Sequence, residues 1–323
     1  MKSSIQTYLF ILAIIIATSC SKSSDVFIPD PNQPVLDTNW SVQTTLSSVE
    51  NFLLTNARTA FSDSVQNDTF SVRYYPAEKL SISVPEFAFF DSSSSSAGSR
   101  VSLEIKVIRS KGEILRSLIS TRSNTDSGNI NMPFYISIRA YRNGNELSLR
   151  PGKLINIQCD HPVFLQGARS YYASPLISAS NSWTQSNTSN VVTTIIQGTN
   201  QTRYYYNISK TGWSSCGVPY EAAAAKTKVY MTMPIKFTNV NTKAFIVLNN
   251  SMSVIKMKED VDGKFFYLDQ LPVGSSCKVV TVSIINGVYY LGIGEAVISP
   301  NLIIQLRPIE SSPAGVNSFL NSL

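Results

Sequence analysis

The chain has 323 residues and is 43% hydrophobic and only 15% charged, with 27 basic against 21 acidic residues for a net charge of +6. That charged fraction, well below the ~25% of an average globular protein, excludes a disordered polyelectrolyte, and basic residues scattered singly do not form the stripe that neutralises phosphates, so no nucleic-acid partner is expected. One histidine, His161, in the whole chain excludes multi-histidine zinc sites and the H-E-x-x-H peptidase helix.

The N-terminus reads as a targeting segment. Lys2 precedes an apolar stretch from Tyr8 to Ala17, followed by Thr18 and Ser19 and then Cys20. The stretch is shorter than the ~20 apolar residues of a membrane span and its C-terminal flank is polar, so residues 1–19 are expected to be a removable signal peptide. Ala17-Thr18-Ser19-Cys20 resembles the lipobox of bacterial lipoproteins. That resemblance implies cleavage before Cys20, acylation of Cys20 and attachment to a membrane through the lipid, with the outer membrane of the cell envelope as the expected location. Two or more acyl chains hold stably, since each buried CH₂ contributes ~0.8 kcal/mol. Residues 20–45, with Pro29, Pro31 and Pro34 among polar neighbours, read as the lipidated cysteine and an extended stalk.

Leu46, Val49, Leu53 and Ala57 then recur at helical spacing, with Ser47 and Glu50 placed as a capping box, which predicts an amphipathic helix over 47–60. Asp63-Ser64-Val65 resembles the short O-glycosylation sequon of exported Bacteroidetes proteins, implying a glycan on Ser64. From about Ser71 the period changes to two. Val101, Leu103, Ile105 and Val107 alternate with more polar neighbours, as do Phe134, Ile136, Ile138 and Ala140, so both runs read as half-buried strands. Asn143-Gly144 before Leu147–Leu149 predicts a tight hairpin, and Leu154, Ile155 and Ile157 close the region. Ser92–Ser96 with Ala97-Gly98 reads as a loop tip.

Nine further strands are predicted over 191–196, 203–208, 229–237, 243–248, 253–257, 264–268, 278–285, 288–291 and 302–306, with Asp262-Gly263 and Asn286-Gly287 as tight turns. Ser312-Pro313 followed by Val316, Phe319, Leu320 and Leu323 predicts a short C-terminal helix. Short strands at this spacing mean a sandwich or a barrel, and the expected fold is mostly β with two β-sandwich-like domains. The expected domains are a helix plus first sandwich over 46–160 and a second sandwich over 161–323.

Ser83–Phe89, Val101–Ile105, Phe134–Leu147 and Leu149–Lys153 resemble the ZU5-like β-domain of Bacteroidetes lipoproteins. Tyr204–Tyr206, Gly212–Cys216 and Leu271–Gly274 resemble a second segment that accompanies it, so the similarity spans roughly residues 80–310. The resemblance implies a β-sandwich-like module used for protein contacts. The self-cleaving His-Phe-Ser sequence of one related class does not carry over, because Phe61-Ser62 and Phe70-Ser71 lack a preceding His and His161 precedes Pro162.

Candidate chemistry is sparse. Cys159-Asp160-His161 puts three reactive types in succession, but neighbours on an extended chain face opposite ways and do not converge on one metal. With Cys20 lipidated, Cys159, Cys216 and Cys277 form at most one disulfide or stay reduced in the core. G-x-S-x-G and phosphate-loop patterns are absent, and no carboxylate pair sits in a recognisable catalytic motif, so no enzyme, cofactor or metal is expected. Aromatics are the remaining binding candidates: Trp183, Trp213, Tyr204 and Tyr206, with Tyr205 facing opposite to its neighbours. The expected function is a lipid-anchored, non-catalytic protein-binding or scaffold module, and the alternative is a glycan-binding surface lipoprotein using those aromatics.

Overall fold

The computed structural model describes residues 39–90, 100–123, 128–173, 182–221 and 223–323. The segment expected to be a signal peptide, Cys20, most of the expected stalk and Ser92–Gly98 lie outside the described residues. The fold is mostly β, with two sandwich-like pairs of sheets and three short α-helices among the described residues.

The capping box forms as the sequence predicts. Ser47 Oγ accepts from the Glu50 N–H (3.2 Å) while Glu50 Oε2 accepts from the Ser47 N–H (2.9 Å), starting α1 (Ser48–Thr55). Val49 and Leu53 are fully buried. The helix stops five residues short of the predicted end, where the Asn56 amide donates to the Phe52 carbonyl (2.8 Å). A second helix, α2 (Lys111–Arg116), was not anticipated, although Ser110 and Glu113 carry the same capping-box signature. The C-terminal helix α3 (Pro313–Asn321) begins as predicted at Ser312, whose Oγ accepts from the Gly315 N–H (3.0 Å). Gly112 lets α2 and α3 touch: a Cβ built there would stand 1.7 Å from the Leu320 carbonyl oxygen.

The first sandwich contains β1 (Phe61–Gln66), β2 (Ser71–Tyr75), β3 (Leu80–Val84), β4 (Phe89–Phe90), β5 (Arg100–Ile108), β6 (Ile130–Asn131) and β7 (Tyr135–Arg142). It continues through β8 (Asn145–Leu149), β9 (Ile155–His161), β10 (Arg169–Ala173), β11 (Thr184–Asn190), β12 (Val192–Ile196), β13 (Gln201–Ile208) and β14 (Gly212–Pro219). The larger sheet follows β1-β5-β7-β14-β10-β11, and the facing five-stranded sheet follows β12-β13-β9-β3-β2. Asn143 (φ 50°) and Gly144 (φ 81°) make the predicted hairpin turn between β7 and β8.

The second sandwich contains β15 (Lys226–Thr232), β16 (Thr242–Leu248), β17 (Val254–Lys256), β18 (Lys258–Asp260), β19 (Phe265–Pro272), β20 (Ser276–Ile285), β21 (Val288–Val297), β22 (Ile303–Gln305) and β23 (Ile309–Ser311). Its sheets run β18-β19-β15-β22 and β17-β16-β20-β21-β23. Asn286-Gly287 turns tightly as predicted, with φ 51° and 79°. At Asp262-Gly263 the two-residue turn is not formed: Asp260 Oδ1 accepts from the Gly263 N–H (2.7 Å), the turn lengthens, and Lys264 (φ 56°) takes the left-handed backbone.

The domain division expected at residue 160 falls inside β9. That strand pairs with β3 on one side and β13 on the other, so the first sandwich runs to Pro219 and the second begins at Lys226. Pro162 opens a loop. The Tyr204 hydroxyl pins this loop from the core, donating to the Val163 carbonyl (2.7 Å) and accepting from the Leu165 N–H (3.1 Å).

Three cores hold the body together. One lies between the sheets of the first sandwich, around Leu103, Ile136, Ile157, Tyr204 and Tyr206, and another between those of the second, around Val229, Ile246, Phe266 and Val279. The third joins the outer face of the larger sheet, through Tyr135, Trp183 and Trp213, to Phe245, Val247, Val280 and Val282, with Val49, Ile114, Val316 and Leu320 of the helices filling it. Strand β16 is therefore buried at every position. Even residues face one core and odd residues the other.

Candidate functional site

Four aromatics that sequence reasoning offers for binding are buried. Trp183 is fully enclosed, its indole N–H donating to the Ser120 carbonyl (2.7 Å) and its ring packing on Tyr135 (5.5 Å). Trp213 lies in the shared core with the Lys106 ammonium 5.9 Å from its ring. Tyr204 and Tyr206 flank Phe134, and the Tyr206 and Ser214 hydroxyls are hydrogen-bonded (3.2 Å). Burial raises the Tyr204 hydroxyl pKa to about 12. These rings are core, and they offer no face to a ligand.

Cys159 and His161 both point inward while Asp160 points out, as period two dictates. Burial lifts the Cys159 thiol to about 11 against the opposing pull of Arg109, whose guanidinium lies 3.1 Å from Sγ. Burial, with Arg109 and Lys79 nearby, lowers His161 to about 4, and its Nδ1 accepts from the Val163 N–H (3.2 Å). A protonated thiol and a neutral imidazole already occupied as an acceptor make no activated nucleophile. Cys159, Cys216 and Cys277 are all buried and free. Among the described residues no three His, Cys, Asp or Glu side chains come together to hold a metal ion.

The open surface is the outer face of the five-stranded sheet. Register places Tyr74, Ser81, Gln158, Tyr205 and Val192 in one outward row across all five strands. A spacing of ~4.8 Å between strands puts Tyr74 and Tyr205 about 14 Å apart at the backbone, over a floor of hydroxyl and amide. In the adjoining row Asn156 donates to Asn207 (3.1 Å). On the other side Arg203 grips Asp160 through two bonds (2.7 and 2.9 Å), and this fork raises the Arg203 pKa above its ordinary value. Tyr74 is 66% exposed. The signal for Tyr205 was in its neighbours: Gln201, Arg203 and Asn207 share its parity, whereas Tyr204 and Tyr206 share theirs with Ile208.

This face ends at β12, which among the described residues pairs only with β13. Its sequence, Val-Thr-Thr-Ile-Ile, is β-branched throughout and uncharged. Val192 is 57% and Ile195 62% exposed. Of the edge strands, β1, β2, β17, β18 and β23 each carry a charged residue, the usual protection against pairing with another chain, whereas β11, β12 and β22 carry none, and of these β12 alone is β-branched throughout. Ser64, the residue of the sequon, stands half-buried on edge strand β1, where its Oγ accepts from Arg100 Nε (3.3 Å) and Nη2 (3.2 Å).

No protein-family model matches the chain, and no curated protein matches it in sequence.

Proposed function

We propose that the chain is a non-catalytic envelope protein, lipid-anchored through Cys20, that binds a protein partner by accepting an extended strand along β12. The observation that carries this reading is the bare, β-branched edge: its outward N–H and C=O groups are a template for one more strand, and Val192 and Ile195 offer apolar contacts on its two faces. The likeness to ZU5-like modules points the same way. A glycan on Ser64, at the opposite sheet, would leave this edge free.

The test is crosslinking and co-purification from intact cells with the native chain and with Thr194→Lys/Ile195→Lys. Both sites are exposed, so the fold should hold while the added charges block pairing. A partner recovered with the native chain and lost with the variant supports the reading, whereas no reproducible partner, or equal recovery with both, counts against it.

A second reading rests on the Tyr74-to-Tyr205 row, where two rings flank a floor of hydroxyl and amide groups, a composition suited to a neutral glycan. Glycan-array binding lost on Tyr74→Ala and Tyr205→Ala would favour it over strand addition.

A further inference from the structure

The second sandwich presents a surface of different chemistry. Across the outer face of its four-stranded sheet, Ile303, Tyr230, Tyr267 and Lys258 stand in one row, with Lys228 and Phe265 beside it. The rings pack edge to face, Tyr230 on Phe265 at 5.5 Å and Phe265 on Tyr267 at 6.3 Å. Lys228 Nζ lies 5.7 Å from the Tyr230 ring and 5.2 Å from the Tyr267 ring, and among the described residues it has no carboxylate partner. Lys258 Nζ lies 5.8 Å from the Tyr267 ring and 3.0 Å from Asp269, a carboxylate already held by Arg122 at 2.6 Å. The other carboxylate on this face, Asp260, accepts from the Gly263 N–H. Ile303 is 64% exposed. The row therefore runs from an apolar end through two amphipathic rings to cations, with local positive charge in excess.

The described chain begins beside this sheet. Trp40 packs on Phe266 (5.0 Å), whose ring faces the core on the inner side of this sheet. Ser41 is held at both backbone polar groups by Asn239, whose amide donates to the Ser41 carbonyl (2.7 Å) and accepts from the Ser41 N–H (3.2 Å). Asn39 follows Cys20 by only 19 positions in the sequence, so a lipid on Cys20 would multiply the effect of weak contacts between this body and the membrane.

We infer that the outer face of the β18-β19-β15-β22 sheet seats on an anionic lipid surface, with Ile303 and the rings at the headgroup boundary and Lys228 and Lys258 toward lipid phosphates. Tyrosine bodies with polar tips and lysines on apolar stems suit that boundary. The inference rests on the lipid-anchor reading.

The experiment uses the full-length chain, labelled metabolically with a palmitate analogue and reconstituted in vesicles of phosphatidylethanolamine and phosphatidylglycerol. An environment-sensitive fluorophore is placed by Ile303→Cys or, on the first sandwich, by Tyr74→Cys, and quenching by a nitroxide carried on the lipid headgroup is read. Quenching at 303 and not at 74, with the docked-to-undocked ratio falling about thirty-fold in Lys228→Gln/Lys258→Gln, is the expected result. Equal quenching at the two positions, or quenching that survives the lysine substitutions, overturns the inference while a palmitate label that depends on Cys20 leaves the anchor standing. Absence of the label overturns both.

Discussion

Lys243 is the most demanding side chain in the second sandwich. It is 1% exposed on β16, and its ammonium meets Glu259 Oε1 at 2.7 Å, the Asn239 carbonyl at 3.1 Å and Glu50 Oε2 at 4.0 Å. Glu50 in turn takes Lys256 at 2.6 Å and caps α1, so this network fastens the first described helix to β16, β17 and β18. Lys243→Met keeps the apolar stem and removes the charge, leaving Glu259 and Glu50 short of a cation. Breaking one side of a buried pair costs about 3–5 kcal/mol, and the bonds that Asn239 gives Glu259 and Lys256 gives Glu50 place the loss at about 3 kcal/mol. Urea unfolding at pH 7 measures it. Adding Glu259→Gln should restore most of the loss, because the stranded charge is gone. The pH arm has a fixed sign. Burial would raise the Glu50 pKa, but hydrogen bonds from Lys256 and Ser47 and the charges of Lys256 and Lys243 together lower it. Its stabilisation is thus complete above the unfolded value near ~4.3 and is lost as pH falls through the folded one. The deficit of the variant should narrow in acid as Glu50 takes up its proton. A Lys243→Met chain within about 0.5 kcal/mol of its parent at pH 7 would refute the reasoning.

Other outcomes follow from single contacts. Gly112→Ala should destabilise by about 1–3 kcal/mol or more, because its methyl would collide with the Leu320 carbonyl and force α2 and α3 apart, a displacement that near-UV circular dichroism of the packed aromatics should register. The lone histidine gives a clean NMR titration: burial and the two nearby cations hold His161 neutral, so its ring signals should not move between pH 8 and pH 5, and a midpoint near 6.5 would contradict the buried placement. Because the unfolded state alone takes that proton, stability should decline as pH falls from about 6.5 toward about 4. Trp183→Ala should cost about 3–5 kcal/mol in thermal or urea unfolding, whereas Tyr205→Ala on the open face should stay within about 1 kcal/mol, and a reversal of that order would put the wrong aromatic in the core.

Much of the fold was legible because its signals are local. The capping box at Ser47 and Glu50, the left-handed turns at Asn143-Gly144 and Asn286-Gly287, and the alternation over Arg100–Ile108 each depend on a few adjacent residues. The end of the first sandwich was not legible, since what carries the chain past His161 is the pairing of β9 with β13, some forty residues on, and no local pattern encodes a partner at that distance. Of the candidate site, the parity of the tyrosine triplet could be read but its direction was misassigned. Aromatic character suggested a surface, whereas the polar residues on the Tyr205 side mark the face toward water. The bare edge of β12 required the sheet order, because a run of Val, Thr and Ile reads equally well as a central strand.

The two sandwiches share a core, and this bears on how a scaffold could work. Tyr135, Trp183 and Trp213 from one and Phe245, Val247, Val280 and Val282 from the other close on the same apolar cluster, with the three helices filling the gap. Each burial of a side chain of this size contributes about 1.5–3 kcal/mol, so opening that interface would forfeit a large part of the stability of either half. Unfolding should therefore be one transition by both calorimetry and near-UV circular dichroism. Truncation before Ser312, which removes Val316 and Leu320 from the shared core, should lower the midpoint and separate the halves into two steps. A native chain that melts in two steps would mean that the interface does not couple them. If it melts in one, the β12 edge and the aromatic-cationic sheet are fixed relative to each other, and a partner caught at one is held at a set attitude to whatever surface the other meets.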